Sequence, residues 1–257
     1  MSIRDSLNSC INVNALINPS LPPPSIDPLV EARLTRLFNN LRTPPTPIPT
    51  SMIAAIIDWI DEDPDTTRAP DGGEDGHYLN LEQPYRAANQ PLSSITELRL
   101  IKGAEDLQAA PRDRYNPYRN ILTLAVPAID SPGHFPSLCA FNTITGSPAQ
   151  INVNTASRDV LLSLSSTMTA TIADAIIACR GPEPTGAEFT NITDFIGCST
   201  VNTVITGADR GQLTFSSDYF LLKTKVSLGD AKKITYSIIF RDPTGTSQII
   251  SRTQRTL

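Results

Sequence analysis

Tyr219-Phe220-Leu221-Leu222-Lys223-Thr224-Lys225-Val226 is followed, across Gly229-Asp230, by Ile234-Thr235-Tyr236-Ser237-Ile238-Ile239-Phe240. Both runs alternate at a period of two and are rich in β-branched and aromatic residues. Pro243-Thr244-Gly245 sets off a further run from Ser247 to Ser251, and Gln212 to Phe215 alternates in the same way just upstream. The pattern predicts an antiparallel meander that closes the chain. Upstream of it the period is helical. Asp27 caps a helix over Pro28 to Phe38 with proline at its first position. Ser51 caps a second helix from Met52 to about Ile60. Ile95, Leu98 and Ile101 predict a short helix capped near Ser93 or Ser94. Thr155 caps one from Ala156 to Ser165, and another runs from about Thr169 to Arg180. Helices followed by a meander give an α+β class. No internal repeat stands out.

The connections are long and rich in proline, which occurs 22 times. Asn18 to Ile26 and Thr43 to Pro49 read as extended arms, and Arg112 to Tyr118 as surface loop. Ile121 to Val126 and Leu138 to Ile144 read as extended. Leu7, Ile11, Val13 and Leu16 mark the start of the chain, which reads as the last turn of a helix giving way to a strand at Ile11-Asn12-Val13-Asn14.

A chain of 257 residues can bury a substantial core. Its net charge of −5 argues against a nucleic-acid binder, which usually carries a basic excess. No run of about 18 apolar residues is present; the longest candidate, Met52 to Ile57, is ended by Asp58. Met1-Ser2-Ile3-Arg4-Asp5 is too polar for a signal peptide, so the chain is either cytosolic or the part that follows an exported leader. The four cysteines, Cys10, Cys139, Cys179 and Cys198, contain no C-x-x-C pair. Cys179 and Cys198 flank a Pro/Gly-rich loop whose closure would stabilise by about 3 kcal/mol. Cys10 would then pair with Cys139, and two disulfides favour an oxidising compartment. The alternative is four buried thiols.

Between Asp58 and Asp75 lie eight acids, Asp58, Asp61, Glu62, Asp63, Asp65, Asp71, Glu74 and Asp75, opposed only by Arg68. Such crowding beside Trp59 is costly unless a cation offsets it. Calcium takes six to eight oxygens in flexible geometry. Asp61, Asp63 and Asp65 can supply them from one turn, and Glu74 and Asp75 can close the shell after Gly72-Gly73. This is not an EF-hand: counted from Asp61, the sixth residue is Thr66 instead of Gly and the twelfth is Gly72 instead of Glu. A solvated acidic loop without metal is the plainer alternative, and a catalytic carboxylate pair a third.

Enzyme motifs are missing. The two histidines, His77 and His134, lie near no G-x-S-x-G, and there is no P-loop or G-x-G-x-x-G. His77 reads as a surface residue. The stretch from Ile151 through Cys179-Arg180 and on to Phe189 and Ile196 resembles a helix-hairpin-helix DNA-binding module. Its turn, Ser165-Ser166-Thr167-Met168-Thr169, lacks the glycine that such turns use at a phosphate. Arg158 and Arg180 are the only basic residues close by. The shape is kept and the phosphate chemistry is not.

Several motifs occur in one order: Leu7-Asn8-Ser9-Cys10-Ile11-Asn12-Val13-Asn14-Ala15-Leu16, then Asp58-Trp59-Ile60-Asp61-Glu62-Asp63, Gly73-Glu74-Asp75 and Tyr78. Pro84-Tyr85-Arg86-Ala87-Ala88-Asn89, Glu97-Leu98-Arg99-Leu100 with Gly103, Ile151-Asn152-Val153-Asn154-Thr155-Ala156, and Ser217 with Tyr219-Phe220 complete the series. Together they resemble the K-type minor pseudopilins of type II secretion systems. A small departure is Gly73, where the family often has alanine. The resemblance implies a pilin-like antiparallel sheet domain, from residues 1–26 and 205–257. A large, mainly helical insertion would span 27–204. The insertion would hold a calcium loop at 58–78 and the helix-hairpin-helix-like segment at 151–198. It also implies structural calcium on acids among Asp61, Asp63, Asp65, Glu74 and Asp75, and no enzymatic activity. Partners would be the I and J minor pseudopilins at the tip of a periplasmic pseudopilus. The insertion would cap that fibre in protein secretion. A leader and an apolar inner-membrane helix would precede this chain. The competing function is DNA binding.

Overall fold

The computed structural model describes residues 2–23, 25–40, 51–66, 68–103, 137–144, 147–181, 188–198, 201–205, 207–229 and 231–256. The readings at Thr43 to Pro49, Arg112 to Tyr118 and Ile121 to Val126 lie outside them.

The meander forms as its period predicts. Strands β6 (Tyr219–Leu228), β7 (Ala231–Arg241) and β8 (Ser247–Thr256) pair antiparallel in sequence order. β1 (Ser2–Ser6) completes the sheet, whose order is β1-β6-β7-β8. The expected helix end at the start of the chain is therefore a strand: Ser6 lies opposite Phe220 and Ser2 opposite Lys223. The open side of β6 supplies a ladder that local periodicity cannot register. Gln212 to Phe215 also differs from expectation. Its Leu213–Thr214 pair is β5, which leaves the meander and runs parallel to β4 (Ile151–Asn152). A second parallel pair joins β2 (Ile11–Asn12) to β3 (Leu138–Cys139), while Val13–Leu16 turns into a 3₁₀ helix in place of the expected strand.

These short pairs reveal a repeat. In each INVN stretch the first asparagine accepts from the N–H two residues on: Asn14 to Asn12 Oδ1 at 3.3 Å and Asn154 to Asn152 Oδ1 at 3.0 Å. In each, the second asparagine grips a distant backbone at both groups. Asn14 Nδ2 donates to Leu92 O at 2.9 Å and its Oδ1 accepts from Leu92 N at 2.8 Å. Asn154 does the same at Phe189, at 2.8 and 2.9 Å. A buried amide that satisfies a donor and an acceptor together leaves neither orphaned.

The helices pack on these stretches. α1 (Pro28–Asn40) is capped by Asp27 Oδ1, which accepts from Leu29 N and Val30 N, and it buries Val30, Leu34, Leu37 and Phe38. α2 (Ser51–Ile60) is buried from Met52 to Ile60, as expected of a helix apolar on all sides. α3 (Asp75–Tyr78) is a single turn. Ile95–Arg99 is 3₁₀, held by a capping box between Ser94 and Glu97. α4 (Arg158–Ser163) is capped by Ser157 instead of Thr155, since Ser157 Oγ reaches Val160 N. α5 (Ala170–Arg180), capped by Thr169, and the short turns α6 (Ile192–Ile196), α7 (Val201–Val204) and α8 (Gly207–Arg210) follow.

One large apolar core joins α1, α2, both INVN stretches, α4, α5 and α6. A smaller core of Leu7, Cys10, Cys139, Phe141, Tyr219 and Phe240 sits against one end of the sheet. Disulfides join Cys10 to Cys139 and Cys179 to Cys198, as the sequence reading has it.

Candidate functional site: a buried carboxylate loop

The acidic loop begins where α2 ends. Asp58 and Asp61, three residues apart on one helical face, are 0% and 4% exposed, and Glu74 is 5% exposed. The chain returns to this face through Gly72. A Cβ added there would stand 1.9 Å from Asp58 Oδ2, so only glycine lets the backbone come this close. Gly72-Gly73 is thus a close approach, more than a flexible link.

Both carboxylate oxygens of Glu74 are buried and accept no hydrogen bond. Burial, and then the charges of Asp61, Asp58, Asp63 and Asp75, push this carboxyl up to about 8. Arg68 feels the charge of Asp58, but the hydrogen bonds of Arg68 and Lys102 go to other groups. Arg68 forms a two-point ion pair with Glu31 on α1, its Nη2 3.0 Å from Oε2. Lys102 Nζ donates to Pro70 O at 2.6 Å and Gly72 O at 2.7 Å.

The other expected ligands are placed differently. Asp63 and Asp65 are exposed, and Asp63 Oδ1 accepts from Asp65 N at 2.9 Å. Asp75 acts as a latch: its Oδ2 accepts from Arg86 Nη1 at 2.7 Å and its Oδ1 from Ala87 N at 3.0 Å. Among the described residues, no three His, Cys, Asp or Glu side chains converge as a ready metal shell. The carboxylates that the loop buries are those of Asp58, Asp61 and Glu74.

The latch carries Asn89 to the loop. Asn89 has φ +46°, donates its N–H to Trp59 O at 3.0 Å, and donates Nδ2 to Asp63 O at 3.3 Å. Its buried Oδ1 has no hydrogen-bond donor. Asn89 and Asp58 stand in the loop without having been among the ligands expected from the sequence. Asp58 was legible as the helical neighbour of Asp61. Asn89 offered only an asparagine in a motif, one of the few residues that tolerate a left-handed backbone. Trp59 closes the back of the loop, edge-on to Tyr78 at 5.1 Å and Tyr85 at 6.2 Å. His77, read as a surface residue, is half-buried and edge-on to Tyr78.

An all-oxygen donor set with excess negative charge and two orphaned carboxylate oxygens fits a hard divalent cation. It offers no thiolate or imidazole to a softer metal.

Among its described residues the helix-hairpin-helix-like segment leaves no buried side-chain oxygen or nitrogen without a partner. Ser163 O and Leu164 O, at the hairpin turn, accept from Arg36 on α1, Ser163 O at 2.6 Å from Nε. Arg158 pairs with Asp174 on the facing helix at 2.6 Å. Arg180 Nη1 donates to Val153 O and Ala156 O at 2.9 Å. The cations a phosphate would need are spent on packing.

Fold and loop together define a mixed helix-and-strand protein whose polar centre is a loop lined by buried carboxylates. Two family models, both described as type II secretion system protein K, match residues 9–119 and 151–216. The chain is 28% identical to type II secretion system protein K of Klebsiella pneumoniae, over 87% of this chain and 60% of that protein. It is 29% identical to the protein of the same name from Pseudomonas aeruginosa, over 77% of this chain and 49% of that protein. Its fold matches a chain in the crystal structure of the GspK-GspI-GspJ complex from the enterotoxigenic Escherichia coli type 2 secretion system. That match has a TM-score of 0.68 and 22% identity, and covers 98% of this chain and 78% of the other. The chain belongs to the type II secretion system protein K family. It spans about 60% or less of the length of these two curated relatives. Among the described residues no helix is long and apolar enough to cross a membrane.

Proposed function

We propose that this chain is the periplasmic part of a minor pseudopilin at the tip of a type II secretion pseudopilus. On this reading it has no enzymatic activity. It joins I- and J-type minor pseudopilins, starts or caps the fibre, and is held in the inner membrane by an apolar helix preceding this segment. The observation that carries the reading is the order of the two family matches along one chain, within a fold similar to a chain of the GspK-GspI-GspJ complex. A pilin-like domain would then comprise residues 1–26 and 205–257, with 27–204 as the insertion. The physical logic is termination: a head-to-tail contact propagates unless one subunit has no acceptor face, and a bulky insertion removes that face. The test is size-exclusion chromatography with the I- and J-type proteins of the same organism. A stable ternary complex is expected; three separate peaks would overturn the assignment.

Within that role we assign structural calcium to the acidic loop. Asp61 and Glu74 are the core of the ligand set, with Asp58 and the Asn89 side-chain oxygen beside them. Asp63 and Asp65 close the shell from the exposed rim, and Asp75 anchors it through Arg86 and Ala87. The ion would neutralise the buried carboxylates and fix the loop against α2. Both orphaned oxygens of Glu74 support this more strongly than acidic composition does.

A further inference from the structure

We propose that the Cys179–Cys198 disulfide is a site of reversible thiol–disulfide exchange, open to a dithiol oxidoreductase while the protein stays folded. The two disulfides differ in access. Cys10 and Cys139 are 1% and 5% exposed and lie inside the smaller core, among Leu7, Phe141, Tyr219 and Phe240. Cys179 is exposed, on the last turn of α5, while its partner Cys198 is buried just beyond α6. A thiolate breaks a disulfide by attacking one of its two sulfurs, so access to that sulfur limits the rate. Cys179 offers access from solvent, and the other three cysteines are buried.

Both ends of this bridge are held in place by other contacts. α5 is anchored by the buried side chains of Ala173 and Ile176. Next to Cys179, Arg180 Nη1 donates to Val153 O and Ala156 O at 2.9 Å. α6 is capped by Asn191 and anchored by buried Phe195, which lies edge-on to Phe189 at 5.4 Å. Cys198 itself packs in the large core. The bridge closes a sequence separation of only 19, against 129 for the other. Opening it leaves both sulfurs near their native places, ready to re-form the bond. Opening Cys10–Cys139 requires the smaller core to come apart first. In the exchange, the attacking thiolate bonds to Cys179 Sγ as the S–S bond breaks. Cys198 Sγ leaves with the electron pair and takes a proton. The second thiol of the oxidoreductase, deprotonated, then displaces Cys179, which takes a proton in turn. Two electrons and two protons pass from the dithiol to the protein, and the reverse sequence restores the bridge.

The test mixes the 257-residue chain with a thioredoxin-type C-x-x-C protein whose second cysteine is replaced by serine, so that the mixed disulfide cannot resolve. Peptide mass mapping should find the adduct on Cys179 and on no other cysteine. With dithiothreitol under native conditions, Cys179–Cys198 should open at least about tenfold faster than Cys10–Cys139. Its rate should not change in low urea, and the near-ultraviolet circular dichroism should be kept. Oxidised glutathione should then restore the Cys179–Cys198 pairing. The absence of an adduct, or an adduct on another cysteine, would overturn the proposal. So would opening of both disulfides together, with loss of the near-ultraviolet signal or a steep rise of rate with urea, because exchange would then require global unfolding.

Discussion

Ile11-Asn12-Val13-Asn14 and Ile151-Asn152-Val153-Asn154 open two units built on one backbone device: a two-residue parallel strand pair and an asparagine that grips a distant chain at both its groups. Around the second unit Arg158 has Asp174, Arg180 and Arg36 cap carbonyls, and buried Arg33 reaches Ala149 O through Nη1 while its Nε and Nη2 donate to nothing. Around the first, Glu74 and Asn89 keep buried oxygens that accept nothing. The same scaffold thus carries a partly unpaired buried guanidinium beside one copy and a buried carboxylate that accepts nothing beside the other. A buried charge without a partner is expensive, so the first unit should depend on a cation and the second should not.

The disulfides give the largest expected effects. Replacing Cys10 and Cys139 with serine opens a loop spanning 129 residues and should cost about 5 kcal/mol. Replacing Cys179 and Cys198, separated by 19, should cost about 3 kcal/mol. Urea unfolding of the two variants reads the difference, and equal losses would contradict it. Asn154→Ala orphans Phe189 N and O and should cost about 3 kcal/mol, by the same amount with calcium or chelator. A calcium-dependent loss there would break the contrast between the units.

Glu74→Gln removes one buried charge. It should abolish the calcium response, and in chelator at pH 8 it should raise stability by about 2 kcal/mol, a discounted part of what repulsion and burial cost the ionised group. Lower stability than wild type in chelator would count against the site. The pH dependence follows from the same carboxyl. Its folded value of about 8 lies above the unfolded one, so the unfolded chain ionises first. Metal-free stability should therefore fall as pH rises from the ordinary carboxylate range through about 8, and calcium should flatten that fall. Smallest of all, Asp65→Ala, at an exposed position, should change the stability of the metal-free protein by less than about 0.5 kcal/mol.

The meander was legible because apolar or β-branched residues alternate with polar ones from Leu222 to Leu228 in β6 and turn residues separate the strands. β1 was not, because what makes Ser2 to Ser6 extended is the open side of β6, over 200 residues away in Ser6–Phe220 terms. The two-residue strands carry no period at all. The repeat was visible in the letters INVN at 11–14 and 151–154, yet a match of four residues gains meaning only from shared hydrogen bonds. Thr155 and Ser157 both satisfy the rule for a helix cap, and only the chain geometry chooses Ser157. In the acidic loop, composition located the charge but could not rank it. Asp65 and Asp58 look alike as letters; one is exposed and the other is sealed under Gly72.

The central claim is that the first unit is completed by calcium at Glu74. Thermal unfolding of chelator-treated protein over a series of free calcium concentrations at pH 7 tests it most directly. The account predicts a melting temperature that climbs with calcium, worth about 2.7 kcal/mol at a hundredfold excess over the dissociation constant, and a Glu74→Gln variant that does not respond. A wild-type melting temperature unchanged across the whole series would contradict it.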